Sequence, residues 1–245
     1  MLQTAIRAHG DDARITLNTR ANLGVSLRSA GRPREAEDLL ESAYERLLDG
    51  FGAEHPDTLA CRLSRAVNIY ALGDLEAARR EMTGVHEAYR HRLGDRHPHT
   101  IACLSNLAAV DRGAGVLADA LRCAADAADG FAEVLPAEHP FVLVSRMNVA
   151  VCAAELEPGP TPLGDLRLLL ERLRQRIGPD HPDTLRCAAN VALLLRHRPF
   201  GDEPTDVDGV QVLTRLRARL GVAHPAVAAF EERRYLYRVL DPHPY

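Results

Sequence analysis

A His-Pro pair recurs at His55, His97, His139, His181 and His224, with successive spacings of 42, 42, 42 and 43 residues. Five copies at a near-constant period do not arise from composition. They mark a solenoid, in which one supersecondary unit is stacked on copies of itself. A sixth frame lies one period upstream of His55, at Ala13, where the dipeptide is lost but Thr16-Leu17 still matches Thr58-Leu59.

Composition fits a stack better than a single core. Trp is absent and aromatics make up only 4% of the chain, whereas one globular core of 245 residues would carry more aromatic volume. Stacked helices can be filled with Ala, Leu and Val, and Ala and Leu are strong helix formers. The net charge of −4 argues against nucleic acid as the main partner. No apolar run approaches the roughly 20 residues that span a bilayer, and the N-terminus lacks the apolar core of a signal peptide. The expectation is a soluble cytoplasmic protein with neither nucleic acid nor membrane as partner.

Cys61, Cys103 and Cys187 share one frame position in three repeats, six residues after the His. Packed helix pairs put equivalent positions roughly 10 Å apart or more, too far for a disulfide, so these cysteines read as small buried apolar residues. Cys123 and Cys152 show no metal-ligand spacing.

Each repeat reads as helix, short turn, helix. In the third, Pro98 suits the first helical position, where its missing N–H would be unbonded anyway. Apolar residues then recur at Ile101, Leu104, Leu107, Ala108 and Val110 with a helical period. Gly113 and Gly115 end that helix, and a second, about 117–135, carries Leu117, Ala120, Leu121, Ala124, Ala128 and Phe131. Gly31 and Gly73 match Gly115, while Ala36 and Ala78 match Ala120, where two helices come too close for a larger side chain.

Residues 1–10 read as the end of a helix whose beginning lies elsewhere, and Asp11 and Asp12 offer N-cap oxygens for the next one. The full units fall at about 11–53, 54–95, 96–137, 138–179 and 180–222. In the fourth, Glu157–Pro162 replaces the short turn, with Thr161 as N-cap and Pro162 opening a helix to Ile177. In the fifth, Arg198–Pro204 lengthens the turn before a helix of about 206–220. Residues 225–240 read as a last capping helix with a charged outer face, and Asp241–Tyr245 as a tail. The expected fold is all-α: a right-handed α-solenoid of about five helix pairs plus a C-terminal cap over 223–245.

The unit His-Pro-Asp-Thr-Leu, Asn-Leu-Ala, Gly, Glu-Ala or Ala-Ala, Leu-Gly resembles the tetratricopeptide repeat in its 42-residue form, as in kinesin light chains. It also resembles the C-terminal arrays of actinobacterial signalling ATPases of the NB-ARC class. The matching residues are Asn22-Leu23-Gly24, Asn106-Leu107-Ala108, Asn148-Val149-Ala150 and Asn190-Val191-Ala192, with turn glycines Gly31, Gly73 and Gly115. The second repeat departs, with Ser64-Arg65-Ala66. The resemblance covers about residues 11–222 and implies a concave surface lined by the first helix of each pair. It does not name a ligand, because such arrays bind unrelated peptides and proteins.

Asn is a mediocre helix former, so four in one frame call for a reason. Asn22, Asn106, Asn148 and Asn190, with Ser64 in the second repeat, run beside a stripe of Val25, Val67, Ala109, Val151 and Leu193. Each amide offers a donor and an acceptor, either to the backbone of an extended ligand or to the neighbouring repeat. One helical turn past that stripe sit Arg28, Tyr70, Arg112, Ala154 and Arg196, with Arg186 and His197 reinforcing the fifth repeat. Guanidinium groups on a groove suit an acidic side chain or a C-terminal carboxylate; the alternative is ordinary solvated arginines paired with acids such as Glu155. The candidate peptide-binding set is therefore Asn22, Arg28, Asn106, Arg112, Asn148, Arg186, Asn190 and Arg196.

No phosphate loop, nucleophile elbow or HExxH is present. The repeated histidines lie one per repeat at helix starts, too far apart to ligate one ion, and read as caps. The expectation is a non-enzyme without cofactor or metal. Two functions fit: a scaffold holding a protein or peptide in its concave groove, or a sensor or assembly domain, self-associating or regulating an attached effector.

Overall fold

The computed structural model describes residues 1–196 and 207–241. Among the described residues there are twelve α-helices and no strand. In chain order they are α1 (Leu2–His9), α2 (Arg14–Ser29), α3 (Pro33–Phe51), α4 (Pro56–Leu72), α5 (Leu75–Leu93) and α6 (Pro98–Gly113). Then follow α7 (Leu117–Val134), α8 (Pro140–Leu156), α9 (Pro160–Ile177), α10 (Pro182–Arg196), α11 (Gly209–Leu220) and α12 (Pro225–Glu231). The fold is an all-α solenoid. None of these helices is long and apolar enough to cross a membrane.

The periodic His-Pro pair sets where helices begin. His55, His97, His139 and His224 are N-caps, each followed by Pro at the first helical position. In each, the ring Nδ1 accepts the N–H of the residue two further on, at 3.2, 3.2, 3.1 and 3.0 Å, and His181 does the same to Asp183 at 3.2 Å. One orphan amide of the first turn is satisfied this way, so the capping expectation holds. Where the frame has Ala13, α2 starts without a side-chain cap. Asp11 and Asp12 do not cap it, contrary to expectation: Asp11 pairs with Arg20 and Arg46, and Asp12 with Arg46 at 2.9 Å. The guanidinium groups of α2 and α3 capture both carboxylates first.

The chain divides into two compact units. The first comprises residues 1–114 together with the chain from Val239 on. Here α1 to α6 pack in succession, and α2 also meets α4, which meets α6, so the first helices of successive pairs form one layer. Leu17, Ala36, Leu40, Ala43, Leu47 and Cys61 close one part of its core; Leu59, Leu63, Val67, Met82, Val85, Tyr89, Cys103 and Val110 close the next. The helices α2 and α3 approach so closely that a Cβ on Gly24 would lie 2.7 Å from Leu40 Cγ.

The second unit comprises residues 115–238. Successive helices α7 to α12 pack on one another, and α8 meets α10, which meets α12. Ala120, like Ala36 and Ala78, is fully buried, as the close-approach reading requires. The fourth-repeat loop ends one step earlier than expected. Gly159 is the N-cap in an extended conformation and Pro160 takes the first helical position, so Thr161 and Pro162 are already inside α9. The Arg198–Pro204 turn and His197 lie outside the described residues, and α11 opens on Asp208, whose Oδ1 accepts from the Val210 N–H at 2.8 Å.

The largest departure is at the C-terminal end. The expected helix over 225–240 stops at Glu231. Arg233 adopts φ 60°, and the Arg234 N–H reaches back to the Ala229 carbonyl at 2.8 Å, closing the helix end. From Tyr235 to Asp241 the chain is neither helix nor turn. Apolar side chains at 235, 236, 237, 239 and 240 give no single helical stripe. Tyr and Val favour extended backbone. Residues 242–245 lie outside the described residues.

All five cysteines are buried and free. Burial pushes the thiols of Cys61 and Cys187 up to about 12, which leaves them inert, as expected of apolar filling.

Candidate functional site

The Asn frame holds the chain's own C-terminal segment. In the second unit, Asn190 on α10 donates from Nδ2 to the Leu236 carbonyl at 2.9 Å and accepts the Leu236 N–H on Oδ1 at 2.7 Å. Asn148 on α8 treats Arg238 alike, at 2.8 and 3.0 Å. In the first unit, Asn106 on α6 makes the same pair with Leu240, both at 2.7 Å. All three amides are fully buried, where an unmade hydrogen bond would be costly.

The alternation of the captured residues has a geometric cause. In an extended chain, residues of one parity turn both N–H and C=O to the same edge, while the intervening ones turn theirs away. A side-chain amide carries one donor group and one acceptor, so it closes a two-bond ring on such a residue as a neighbouring strand would. One Asn per repeat thus meets every second residue. Later repeats hold earlier tail residues: within the second unit α10 takes Leu236 and α8 takes Arg238.

Side chains complete the hold. Leu236 and Leu240 are buried, and Val239 packs against the first unit's core near Tyr70 and Leu107. Arg238 Nε lies 3.2 Å from Asp183 Oδ1, the atom that Arg186 Nη1 also contacts at 2.9 Å. Burial lowers the pKa of the Arg186 guanidinium, the charge of Arg238 adds to the shift, and Asp183 opposes it. The Tyr235 phenol is pushed up to about 12, by burial first and by Glu155 second. In the first unit, Arg28 forms an ion pair with Asp241, with only 6% and 7% of the two side chains exposed. Its other nitrogen donates to the Ser64 carbonyl at 2.8 Å. Ser64 stands where the other repeats have Asn.

The remaining sequence-derived candidates are placed differently. Asn22 is exposed; Arg112 is half-buried at the end of α6; Arg196 is exposed at the end of α10, with its guanidinium beside Gly209. Arg186 meets Asp183 rather than a carboxylate of the tail. Val25, Val67, Ala109, Val151 and Leu193 are all buried, so they are core rather than an open floor. A stacking amide does exist, but it is Asn68, four residues past Ser64, which donates to the Pro33 carbonyl at 3.1 Å. Sequence reasoning missed Asp183 as the partner of Arg238, and missed the tail as occupant. Among the described residues no group of three or more His, Cys, Asp or Glu could hold a metal ion.

This architecture defines a class, a solenoid of helix pairs whose first helices carry polar side chains to an extended chain. Residues 16–57 and 100–141 match the family model of the tetratricopeptide repeat. No curated protein matches the chain. Among solved structures, the nearly identical TPR-like repeats of a putative kinesin light chain from Podosopora anserina are similar to it. They share 20% identity over 89% of this chain and 95% of that one, with a TM-score of 0.57. A point variant of that protein gives the same score over 96% of its length. BtubC (BKLC) from P. vanneervenii is similar at 14% identity and a TM-score of 0.54, over 95% of this chain and 85% of that one. At these identities the likeness is one of fold, and the fold is that of kinesin-light-chain TPR-like repeats.

Proposed function

We propose that this protein is an interaction module that captures an extended peptide segment of a partner protein along the first helices of its repeats. One observation carries the reading: Asn106, Asn148 and Asn190 each close both amide groups on the backbone of a single residue in an extended segment. Backbone capture is independent of side-chain identity, so the amides supply affinity, and the flanking Arg28 and Asp183 supply selection. Arg28 meets an acidic side chain here, which supports a ligand bearing a carboxylate.

A panel of arrayed extended peptides, followed by titration of the binders, tests this. Because the tail occupies these same amides, the titration is run on a chain ending at Arg234. There Asn148→Ala and Asn190→Ala each remove two neutral hydrogen bonds and should weaken binding by about 5- to 150-fold, the equivalent of about 1–3 kcal/mol. Unchanged affinity in both variants would contradict it.

A further inference from the structure

We propose that residues Tyr235–Asp241 are a displaceable internal ligand that must leave before a partner engages, and that they spell out the partner's chemistry. The proposal rests on the reading of the Asn frame as a peptide-binding site and adds which peptide and what regulates it. Against the second unit the segment sets an apolar residue and a cation two residues later; against the first it sets an apolar residue with a carboxylate immediately after.

Each position of that pattern has its receptor in the structure. The apolar positions correspond to Leu236 and Leu240, which are 4% and 2% exposed. The cation corresponds to Arg238, held by Asp183. The carboxylate corresponds to Asp241, and it is the most demanding position, because Arg28 is itself buried. With the tail in place both Arg28 and Asp241 are buried, so a segment that covered Arg28 in its stead without an acid would enclose a guanidinium with no counter-charge, and that is strongly unfavourable. An incoming segment must therefore bring an acid of its own.

The tail is also built to leave. Residues 235–241 belong to no helix, and the hydrogen bonds that hold their backbone at 236, 238 and 240 come from side chains, not from a helical or sheet ladder. The chain departs from α12 at Arg233, in the left-handed region, so release of the tail requires no helix to unwind. A tethered segment competes at an effective concentration on the order of millimolar. The apparent affinity for a partner then falls in proportion to the fraction of molecules with the tail out. The tail thus sets a threshold that only a better-matched or more abundant segment overcomes.

The test uses the full chain and a fluorescent, end-capped peptide of sequence Tyr-Leu-Tyr-Arg-Val-Leu-Asp, read by anisotropy. Asp241→Ala and Arg238→Ala weaken the internal competitor without touching its receptor, so both variants should bind the peptide about tenfold or more tightly than the unaltered chain. A peptide ending in Ala instead of Asp should lose most of that gain, and adding Arg28→Ala to Asp241→Ala should abolish the preference for the acid. Arg238→Ala provides a second reading should Asp241→Ala impair folding, since Arg186 still neutralises Asp183. Equal, measurable binding by the unaltered chain and both variants would overturn the internal ligand while leaving the peptide site standing. No binding by any folded variant would overturn both. Light scattering runs alongside: a dimer that the tail substitutions dissociate would assign the tail to a second copy and overturn the proposal.

Discussion

Asn148 and Arg238 are joined by two hydrogen bonds, one in each direction between a side-chain amide and a backbone, at 2.8 and 3.0 Å. Ninety residues separate them in sequence. The pair explains why a residue unfavourable to helices recurs at one position: the amide costs little helix stability and satisfies both polar groups of a bound residue. It also separates two roles that Asn can take in a stack. Asn148 serves the extended segment, whereas Asn68 ties α4 to the start of α3.

Asn148→Asp keeps the acceptor for the Arg238 N–H and loses the donor to its carbonyl, whereas Asn148→Ala loses both. Each neutral bond contributes about 0.5–1.5 kcal/mol, so Ala should destabilise the tail's hold more than a single lost bond. Helix content by circular dichroism should stay unchanged in the Ala variant, because α8 does not depend on that amide. A collapse of helicity would show that Asn148 holds the repeats together instead.

Arg28 and Asp241 should behave as a unit. Arg28→Ala leaves Asp241 without its counter-charge in a site where both side chains are buried, at a cost of about 3–5 kcal/mol if the tail stays in place. Arg28→Ala combined with Asp241→Ala should cost less than the sum of the single changes. A double-mutant cycle on urea midpoints measures this coupling; strict additivity would mean that the two charges do not interact.

Ala120→Leu inserts three carbons at a fully buried position of α7, and should destabilise the protein by about 1–3 kcal/mol. The urea midpoint reads it directly. An unaltered midpoint would mean that the helices around α7 are packed loosely enough to absorb the volume.

Acid should destabilise the first unit through His99. Its ring is buried against Tyr89 and His97, and burial, with His97 adding, depresses its pKa from the ordinary 6.5 to about 4. The unfolded chain therefore takes up a proton below about pH 6.5, while the folded chain does not until about pH 4. Stability is unaffected above that window, falls as pH drops through it, and levels off below. His97 adds to the trend, since burial lowers its pKa too and protonated Nδ1 could no longer accept from the His99 N–H. Phe141 occupies the equivalent position one repeat on, so His99→Phe should preserve packing and flatten the fall in Tm between about pH 7 and 5. An equally steep fall in the variant would place the acid sensitivity elsewhere.

Much of this was legible in the sequence, for identifiable reasons. Helix starts were readable because His-Pro is both periodic and mechanistically a cap. The Asn frame stood out because four copies of a mediocre helix former recur at one helical position. The occupant was not readable. Leu236 and Leu240 are four apart, a spacing shared by one face of a helix and one face of an extended strand, and the charged run Glu231–Arg234 imitates the outer face of a helix. The stop depends on Arg233 adopting a conformation that its residue type does not announce. Asp183 as the seat of Arg238 was equally hidden, since its local neighbours His181 and Arg186 already explain an acid at that place.

Residue-resolved amide hydrogen exchange on the intact chain tests the Asn frame most directly. The N–H groups of Leu236, Arg238 and Leu240 should be protected, and each should be released by its own substitution: Leu236 by Asn190→Ala, Arg238 by Asn148→Ala, and Leu240 by Asn106→Ala, with the helices bearing them still protected. Exchange at the three amides as fast as in an unstructured peptide, or protection indifferent to all three substitutions, would contradict backbone capture by the asparagines.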